Sequence, residues 1–334
     1  MTNATSRIHR IHRVFVGIGI AIVASGAFAQ SQTPNEKYPS RPIRWVAPSS
    51  VGGGNDVLAR LIGAKMTERW GQQVVVDNRS GAGGIIGSDI VAKSAPDGHT
   101  LLIVAGGFAV NPSLYKAIPY DTLKDFASIS YVAHAPLVLV AHSSVGVKSV
   151  RELVELAKAK PGQLNYATSG VGTTSFLAAE LFKYMTGVQM VHVPYKGAGL
   201  AAAAAVAGQV DLIATTPNAT VPHVRTGRIR ALGVTSATRL GIIPEVPTVA
   251  EQGLAGYEVV TAYWVLVPAK TPTRIINALH EVIVRIVNLP ETQKQLEFLG
   301  FTPVGSTPDE LTAILRSDMA KWSKILREIG VRPE

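Results

Sequence analysis

The sequence predicts an α/β protein built from two domains, each with a mainly parallel sheet flanked by helices. Two observations support this prediction. First, short apolar strands alternate with stretches of helical periodicity along the chain, a pattern typical of parallel sheets covered by helices. Second, the alternation pauses in a loop-rich stretch and then restarts, and 334 residues are more than one small domain usually needs.

The first run of elements begins with an apolar strand at residues 43–47, followed by a glycine-rich loop. Residues 56–70 repeat apolar side chains at helical spacing and predict a helix. The stretch that contains Asn111, Pro112 and Pro119 is predicted as loop because it is rich in turn-forming residues. The other predicted elements of this run are strands at 74–77, 100–104, 129–133 and 137–141, and a helix at 85–93.

The second run begins where Ser149 and Glu152 form a capping box, which opens a helix that stops at Pro161 and Gly162. The elements predicted after it are strands at 164–168, 189–193, 210–214 and 229–234, helices at 175–186 and 200–207, and a short helix ending near Arg225.

The chain then returns along a long apolar run at 257–267, and helices at 272–287, 291–299 and 307–329 close it. The long strands near 130–141 and 257–267 are the natural places for the chain to cross between domains. The predicted organisation is a signal peptide at 1–29, a first lobe at 30–137 plus 262–334, and a second lobe at 138–261.

The N-terminal residues have the features of an export signal. Arg7, Arg10 and Arg13 precede an apolar run at 14–28, which is short for a membrane span. Ala27 and Ala29 flank Phe28 as the small residues that signal peptidase requires, so we expect cleavage after Ala29 and a protein exported to the periplasm. An uncleaved membrane anchor is the alternative.

Composition excludes several classes of function. The chain contains no cysteine, so it has no disulfides, thiolate metal sites or cysteine nucleophile. Its net charge of +9 comes from scattered lysines and arginines without a basic run, which argues against nucleic acid as a partner. A small anionic ligand is compatible with this charge, as is a surface that is merely basic.

Five loops share one chemical character: they are rich in glycine and hydroxyl groups and poor in charge. They are the loops at 48–56, 80–84, 169–175, 195–199 and 215–218. Such loops in parallel sheets lie beyond the carboxyl ends of the strands, where ligands bind, and each leads to a helix N-terminus that favours an anion. Tight-turn geometry alone is the alternative explanation for the glycines in any single loop.

Motifs for cofactors and catalysis are missing or incomplete. The glycines at 81–87 differ from the dinucleotide fingerprint because Ile86 stands where its third glycine belongs. No phosphate-binding loop, nucleophile elbow or pair of histidines at metal-binding spacing occurs. Asp56 could serve a hydrolase, but its position suits a first-turn acid at a helix start. We therefore expect no enzyme activity, no cofactor and no metal.

Seven motifs in order resemble one protein family. They lie at 38–43 with 56–60, at 78–84, 95–101, 166–173, 192–197, 208–211 and 244–251. This pattern is similar to that of the extracytoplasmic solute-binding proteins of tripartite tricarboxylate transporters, the Bug or TctC family. The resemblance spans the chain from Tyr38 onward.

The resemblance implies a two-lobed periplasmic-binding-protein fold of type II character that closes on a small carboxylate and delivers it to membrane permease subunits, acting as a monomer. By the same resemblance, one carboxylate is held between the first loop and the second domain. The implied ligand-binding residues are Gly53, Asn55, Asp56, Thr168, Ser169, Thr173, Thr174, Tyr195, Lys196 and Thr215.

The sequence departs from the family pattern in two places. Ser49 and Ser50 stand where members often have an aromatic residue and a proline, and Thr215 stands where many have an acid. These departures suggest a roomier, more polar pocket for a ligand without an amino group. The alternatives to transport are a sensory protein that presents the ligand to a receptor kinase and an exported hydrolase that uses Asp56.

Overall fold

A computed structural model of the chain describes residues 38–328 and 330–331. The predicted signal peptide and its cleavage site lie outside these residues. The strands are β1 (Ile43–Ala47), β2 (Val74–Asn78), β3 (Thr100–Ala105), β4 (Phe126–Pro136), β5 (Val138–His142), β6 (Asn165–Thr168), β7 (Val191–Pro194), β8 (Leu212–Thr215), β9 (Ile229–Val234), β10 (Val260–Pro268) and β11 (Thr302–Pro303). The helices are α1 (Gly54–Trp70), α2 (Ile85–Ala92), α3 (Gly107–Leu114), α4 (Val150–Ala159), α5 (Thr174–Thr186), α6 (Ala198–Val206), α7 (Pro217–Arg225), α8 (Thr273–Val287), α9 (Pro290–Phe298) and α10 (Pro308–Glu328).

The strands form two sheets, each covered by helices, and this confirms the two-lobed α/β fold. The first sheet has six strands in the order β11-β4-β10-β3-β1-β2, and the second has five in the order β7-β6-β8-β5-β9. We call the first sheet with its helices lobe 1 and the second sheet with its helices lobe 2. The exact boundaries at 137/138 and 261/262 stay a prediction.

Both sheets are mixed, which corrects the expectation of mainly parallel pairing. In lobe 1, β1 pairs parallel with β2 and β3, whereas β10 pairs antiparallel with β3 and β4. In lobe 2, β6 pairs parallel with β7 and β8, but β5 runs antiparallel to β8 and β9. Apart from the two-residue β11, which pairs antiparallel with β4, the antiparallel pairing involves the strands by which the chain enters or leaves a lobe. The expected alternation therefore holds only for the strand–helix units between them.

The core of each lobe lies on both faces of its sheet, because strands buried on two sides are apolar on two sides. On one face of the lobe 1 sheet, Trp45 and Ile103 pack with residues of α1 and α8. On the other face, Val46 and Trp264 pack with residues of α3 and α10. Lobe 2 has the same arrangement, with α4 and α5 on one face and α6 and α7 on the other.

Helix α3 was not expected, because Asn111 and Pro112 suggested a loop. Proline inside a helix removes one backbone hydrogen bond. The helix forms nevertheless, since Val110 and Leu114 are buried in an apolar cluster with Phe176 and Leu177 of α5 and with Leu326 of α10. Tertiary burial here outweighs the local propensity. This cluster also joins the two lobes.

The two chain crossings between the lobes lie side by side. Strand β4 ends at Pro136, which pairs with Val260 at the start of β10. Thr235 connects them: its hydroxyl accepts the N–H of Leu137 (2.7 Å) and donates to the carbonyl of Val259 (2.6 Å). In the described part of the chain, no helix combines the length and apolarity that crossing a bilayer requires.

Candidate functional site

A cavity of about 360 Å³ lies between the two lobes. It is lined by the turns that follow β1, β2 and β3 in lobe 1 and β6, β7 and β8 in lobe 2, together with residues of β10. Five of these turns are the glycine- and hydroxyl-rich loops singled out in the sequence. The structure therefore brings the five loops to one place.

Six helices point their N-termini at this cavity. The lining includes residues at or next to the first turn of each: Gly54 (α1), Gly84 (α2), Gly107 (α3), Thr174 (α5), Ala198 (α6) and Thr216 (α7). None of the six has a side-chain cap from its own N-cap residue. By contrast, Ser149 caps α4, which does not line the cavity. The cavity is thus surrounded by backbone N–H groups and positive helix ends, which together favour an anion.

The lining is otherwise almost without charge. Of the described residues that line the cavity, Lys196 alone has a charged side chain, and it is exposed. No aspartate or glutamate is part of this lining. The electrostatic character of the cavity is therefore positive and comes mainly from the backbone.

Several buried polar atoms at the cavity lack partners. The hydroxyls of Thr174, Thr216 and Thr261 have none among the described residues, and each of these side chains is buried. The Ser49 hydroxyl oxygen and Asn55 Oδ1 are also buried atoms without a partner among the described residues. A buried hydroxyl without a partner lowers stability, so these atoms are suited to bind the polar groups of a ligand.

Seven of the ten predicted site residues line the cavity. They are Asn55, Ser169, Thr173, Thr174, Tyr195, Lys196 and Thr215. Contact of these residues with a ligand stays a prediction.

The other three, Gly53, Asp56 and Thr168, are not part of the lining. Asp56 accepts the N–H of Gly52 (2.9 Å) with one carboxylate oxygen and binds Arg60 Nε (2.8 Å) with the other, so it fixes the first loop. The buried Thr168 hydroxyl accepts the N–H of Gly170 (3.2 Å) and lies 2.7 Å from His192 Nε2. These two side chains hold the loops in shape from behind, and Gly53 is the N-cap of α1.

The neighbours Thr173 and Thr174 differ in what their hydroxyls do. Thr173 donates to the carbonyl of Gly170 (2.6 Å) and lies 3.0 Å from the Ser175 hydroxyl, so it is already used within its own turn. The Thr174 hydroxyl has no partner among the described residues. The two positions therefore allow a matched test.

We expect Thr174→Val to weaken carboxylate binding by about 10- to 150-fold, the value of one hydrogen bond to a charged group, without lowering the melting temperature. Thr173→Val should instead lower the melting temperature, because it breaks the turn. Isothermal titration and thermal unfolding of both variants measure this contrast. Unchanged affinity in Thr174→Val would remove that hydroxyl from the site.

Other lining residues were missed in the sequence. Asn111 and Tyr115 belong to α3 or follow it, where a loop was expected, and Thr261 and Tyr263 lie on β10, which was interpreted only as an apolar strand. Burial raises the pKa of Tyr263 above its usual range, so its phenol is a neutral donor. The one local signal was the Gly106–Gly107 doublet directly after a strand.

The turn at 81–84 has an unusual backbone. All four of its residues have positive φ, and one of them is not glycine: Ala82, at 45°. A left-handed alanine costs roughly 1–2 kcal/mol, and such strain is common at ligand sites. The loop was a candidate in the sequence, but none of its residues was predicted to bind.

The site contains no group of residues suited to a metal. Among the described residues, no three histidines, cysteines or acids come together in a way that could hold an ion. The described lining, in which Lys196 has the one charged side chain, also lacks a paired acid and base. What the arrangement can do chemically is bind a small anion and enclose it.

Comparison with known proteins agrees with this geometry. The family model "Tripartite tricarboxylate transporter family receptor", TctC, matches residues 58–331. Protein BugT of Bordetella pertussis is 35% identical over 322 residues, which cover 96% of this chain and 98% of BugT.

Two solved structures with bound ligands are similar. An R. palustris protein with adipate superposes with a TM-score of 0.87 at 35% identity and covers 89% of this chain and 100% of its own. MatC from Rhodopseudomonas palustris with bound malate superposes with a TM-score of 0.82 at 30% identity, and the match covers 86% of this chain and 100% of MatC. The family match, the extent of the likeness to BugT and the shared two-lobed fold lead to one conclusion: this chain belongs to the TctC, or Bug, family of tripartite tricarboxylate transporter receptors.

Proposed function

We propose that this chain is an extracytoplasmic solute-binding protein that captures a small carboxylate by closure of its two lobes. It delivers the carboxylate to the permease subunits of a tripartite tricarboxylate transporter, and it does so in the periplasm, as a monomer and without catalysis. The observation that supports this most strongly is the near-neutral cavity faced by six helix N-termini, none of which is capped by the side chain of its own N-cap residue. Such a cavity stabilises a negative charge without a side-chain counter-ion.

The lining also constrains the body of the ligand. Val104, Phe108, Leu137 and Val171 contribute apolar surface between the polar turns. A ligand with an apolar middle and a charged end matches this distribution, since binding sites are mostly apolar with a few placed polar groups. Adipate, found in one similar structure, has this form.

The absence of acids from the described lining argues against an amine on the ligand. An ammonium group brought into the closed cavity would lose its hydration and find no carboxylate to pair with. Thr215, buried at the end of β8, offers only a hydroxyl there. We therefore propose a carboxylate without an amino group.

Closure of the lobes is supported by contacts that cross between them. Tyr115 donates to the carbonyl of Val171 (3.2 Å), and the apolar cluster around Leu114 and Phe176 covers the same side. The two crossings pair at Pro136 and Val260, and the next residues, Leu137 and Thr261, line the cavity, so bending at the crossings would open it. A ligand stabilises the closed form only as far as it binds that form better than the open one.

A panel of ligands tests the binding step. We expect adipate or malate at about a hundred times its dissociation constant to stabilise the fold by about 2.7 kcal/mol, which thermal unfolding detects. The matched control is 2-aminoadipate, which adds only an amine to adipate and should bind more weakly. If no dicarboxylate, tricarboxylate or aromatic acid raises the melting temperature, carboxylate capture is wrong.

Delivery to a permease needs a separate measurement. Cells that lack this chain should take up the radiolabelled carboxylate more slowly than wild-type cells, and the restored gene should restore uptake. Unchanged uptake together with tight binding would contradict delivery while leaving capture intact. That outcome would favour a sensory role.

A further inference from the structure

Residues 50–52 of lobe 1 make two hydrogen bonds to lobe 2. The hydroxyl of Ser50 accepts the N–H of Gly199 in α6 (3.1 Å). The side-chain amide of Asn218 in α7 donates to the carbonyl of Gly52 (3.0 Å). Neither Ser50 nor Asn218 lines the cavity, so these bonds lie beside the ligand site rather than in it.

The bond from Ser50 has the form of a helix cap. Helix α6 begins at Ala198, so Gly199 is its second residue, and the N–H of this position is one that an N-cap side chain normally satisfies. The N-cap residue of α6 is Gly197, which has no side chain to do so. Ser50 therefore supplies from lobe 1 the cap that α6 lacks in its own lobe.

The two surfaces fit closely at this point. A Cβ atom at Gly197 would lie 2.5 Å from the backbone nitrogen and the hydroxyl oxygen of Ser50. A Cβ at Gly199 would overlap the carbonyl oxygen of Val51. Because both positions are glycine, the 50–52 segment can lie directly against the start of α6. The cap is thus part of a built contact and not a chance approach of two loops.

We propose that residues 50–52 are a closure latch, which caps α6 and binds Asn218 of α7 only when the lobes are together. The inference rests on the proposed function in one respect: ligand release requires the lobes to separate. When they do, the N–H of Gly199 and the carbonyl of Gly52 exchange these bonds for water. The latch therefore stabilises the closed state and slows ligand release without adding a contact to the ligand.

The proposal predicts how Ser50→Ala behaves. Loss of one cap bond should raise the ratio of open to closed molecules, and the dissociation rate of bound adipate, by about fivefold. The association rate should change little, because the ligand first meets the open form. Asn218→Asp is the second variant: it removes the amide donor but places an acid near the start of α7, which a helix tolerates, so the fold is retained.

The matched control is Ser149→Ala. The Ser149 hydroxyl caps α4 by accepting the N–H of Glu152 (3.1 Å). This substitution therefore removes a cap bond of the same length as the one from Ser50, but inside lobe 2. Ser149→Ala should lower the melting temperature and leave the lobe separation unaltered. Ser50→Ala should instead change the lobe separation and leave the melting temperature nearly unaltered.

Lobe separation can be measured directly. Since the chain has no cysteine, cysteines introduced at the exposed Lys124 of lobe 1 and Lys160 of lobe 2 are the sole sites for spin labels. Double electron–electron resonance then gives the distribution of distances between the two labels, without ligand and with saturating adipate. The latch predicts a larger fraction of long distances for Ser50→Ala and Asn218→Asp than for the parent or for Ser149→Ala.

The outcomes separate the two proposals. If Ser50→Ala matches the parent in both distance distribution and adipate dissociation, or if Ser149→Ala shifts the distances equally, the latch is wrong. If adipate and the other acids leave the parent's distances unchanged but Ser50→Ala still lengthens them, the latch stands and carboxylate capture fails.

Discussion

Thr215→Asp should lower the affinity for the carboxylate that the panel identifies by roughly a hundredfold or more. Thr215 is 2% exposed and lines the cavity at the end of β8. A second negative charge about 5 Å from the ligand costs about 3 kcal/mol at an effective dielectric constant of 20, and 1.4 kcal/mol is a factor of ten in affinity. Isothermal titration measures the loss.

The control for this prediction is Thr215→Asn, which has the shape of aspartate without its charge. We expect Thr215→Asn to lose less than about tenfold, the cost of one altered hydrogen bond. In Thr215→Asp, the affinity for 2-aminoadipate should rise relative to the affinity for adipate, because the new carboxylate can pair with the amine. Equal affinities in the two variants would show that charge at this position does not govern binding.

Gly107→Ala should lower ligand affinity without lowering the stability of the ligand-free protein. Gly107 is the first residue of α3 and has no positive φ, so alanine is compatible with its backbone. In the helix, alanine is favoured over glycine by up to about 1 kcal/mol. Across the cleft, however, its Cβ would overlap the carbonyl oxygen of Gly172 in lobe 2. We expect the melting temperature of the ligand-free protein to stay the same or rise.

Ligand affinity should fall in the same variant. Forcing an extra methyl group into a packed contact costs about 1–3 kcal/mol, so closure and hence affinity should drop by roughly 5- to 150-fold. Gly241→Ala is the control, because a Cβ there meets nothing within 4 Å. Wild-type affinity in Gly107→Ala would mean that the ligand binds without bringing Gly107 and Gly172 together.

Much of the fold could be predicted because the relevant signals are local. The capping box at Ser149 and Glu152 begins α4 as expected, and the Ser149 hydroxyl accepts the N–H of Glu152. Strands β1 and β9 have the expected bounds, since each is a mostly apolar segment in which an arginine is the one charged residue. Strand β11, by contrast, is two residues long and has no period to detect.

The site was predictable as a set of loops but not as a set of side chains. Loops after neighbouring strands meet whatever their sequences, so their shared composition pointed to one place. Thr261 and Tyr263 reach the cavity because β10 pairs antiparallel with β3, a long-range contact that no local pattern contains. Asp56 was a candidate functional acid because it ends a glycine-rich loop, yet both of its carboxylate oxygens are used in bonds that fix the shape of that loop.

The ring of six helix ends has a consequence for the medium in which the protein works. The attraction of exposed charged side chains for an ion weakens as salt is added, because mobile ions screen it with a screening length of about 8 Å at physiological ionic strength. Mobile ions cannot enter the space between a bound carboxylate and the peptide dipoles that surround it in a closed cavity. Affinity for the carboxylate should therefore be nearly independent of salinity, so the proposed uptake would continue when a cell's surroundings change from dilute to brackish.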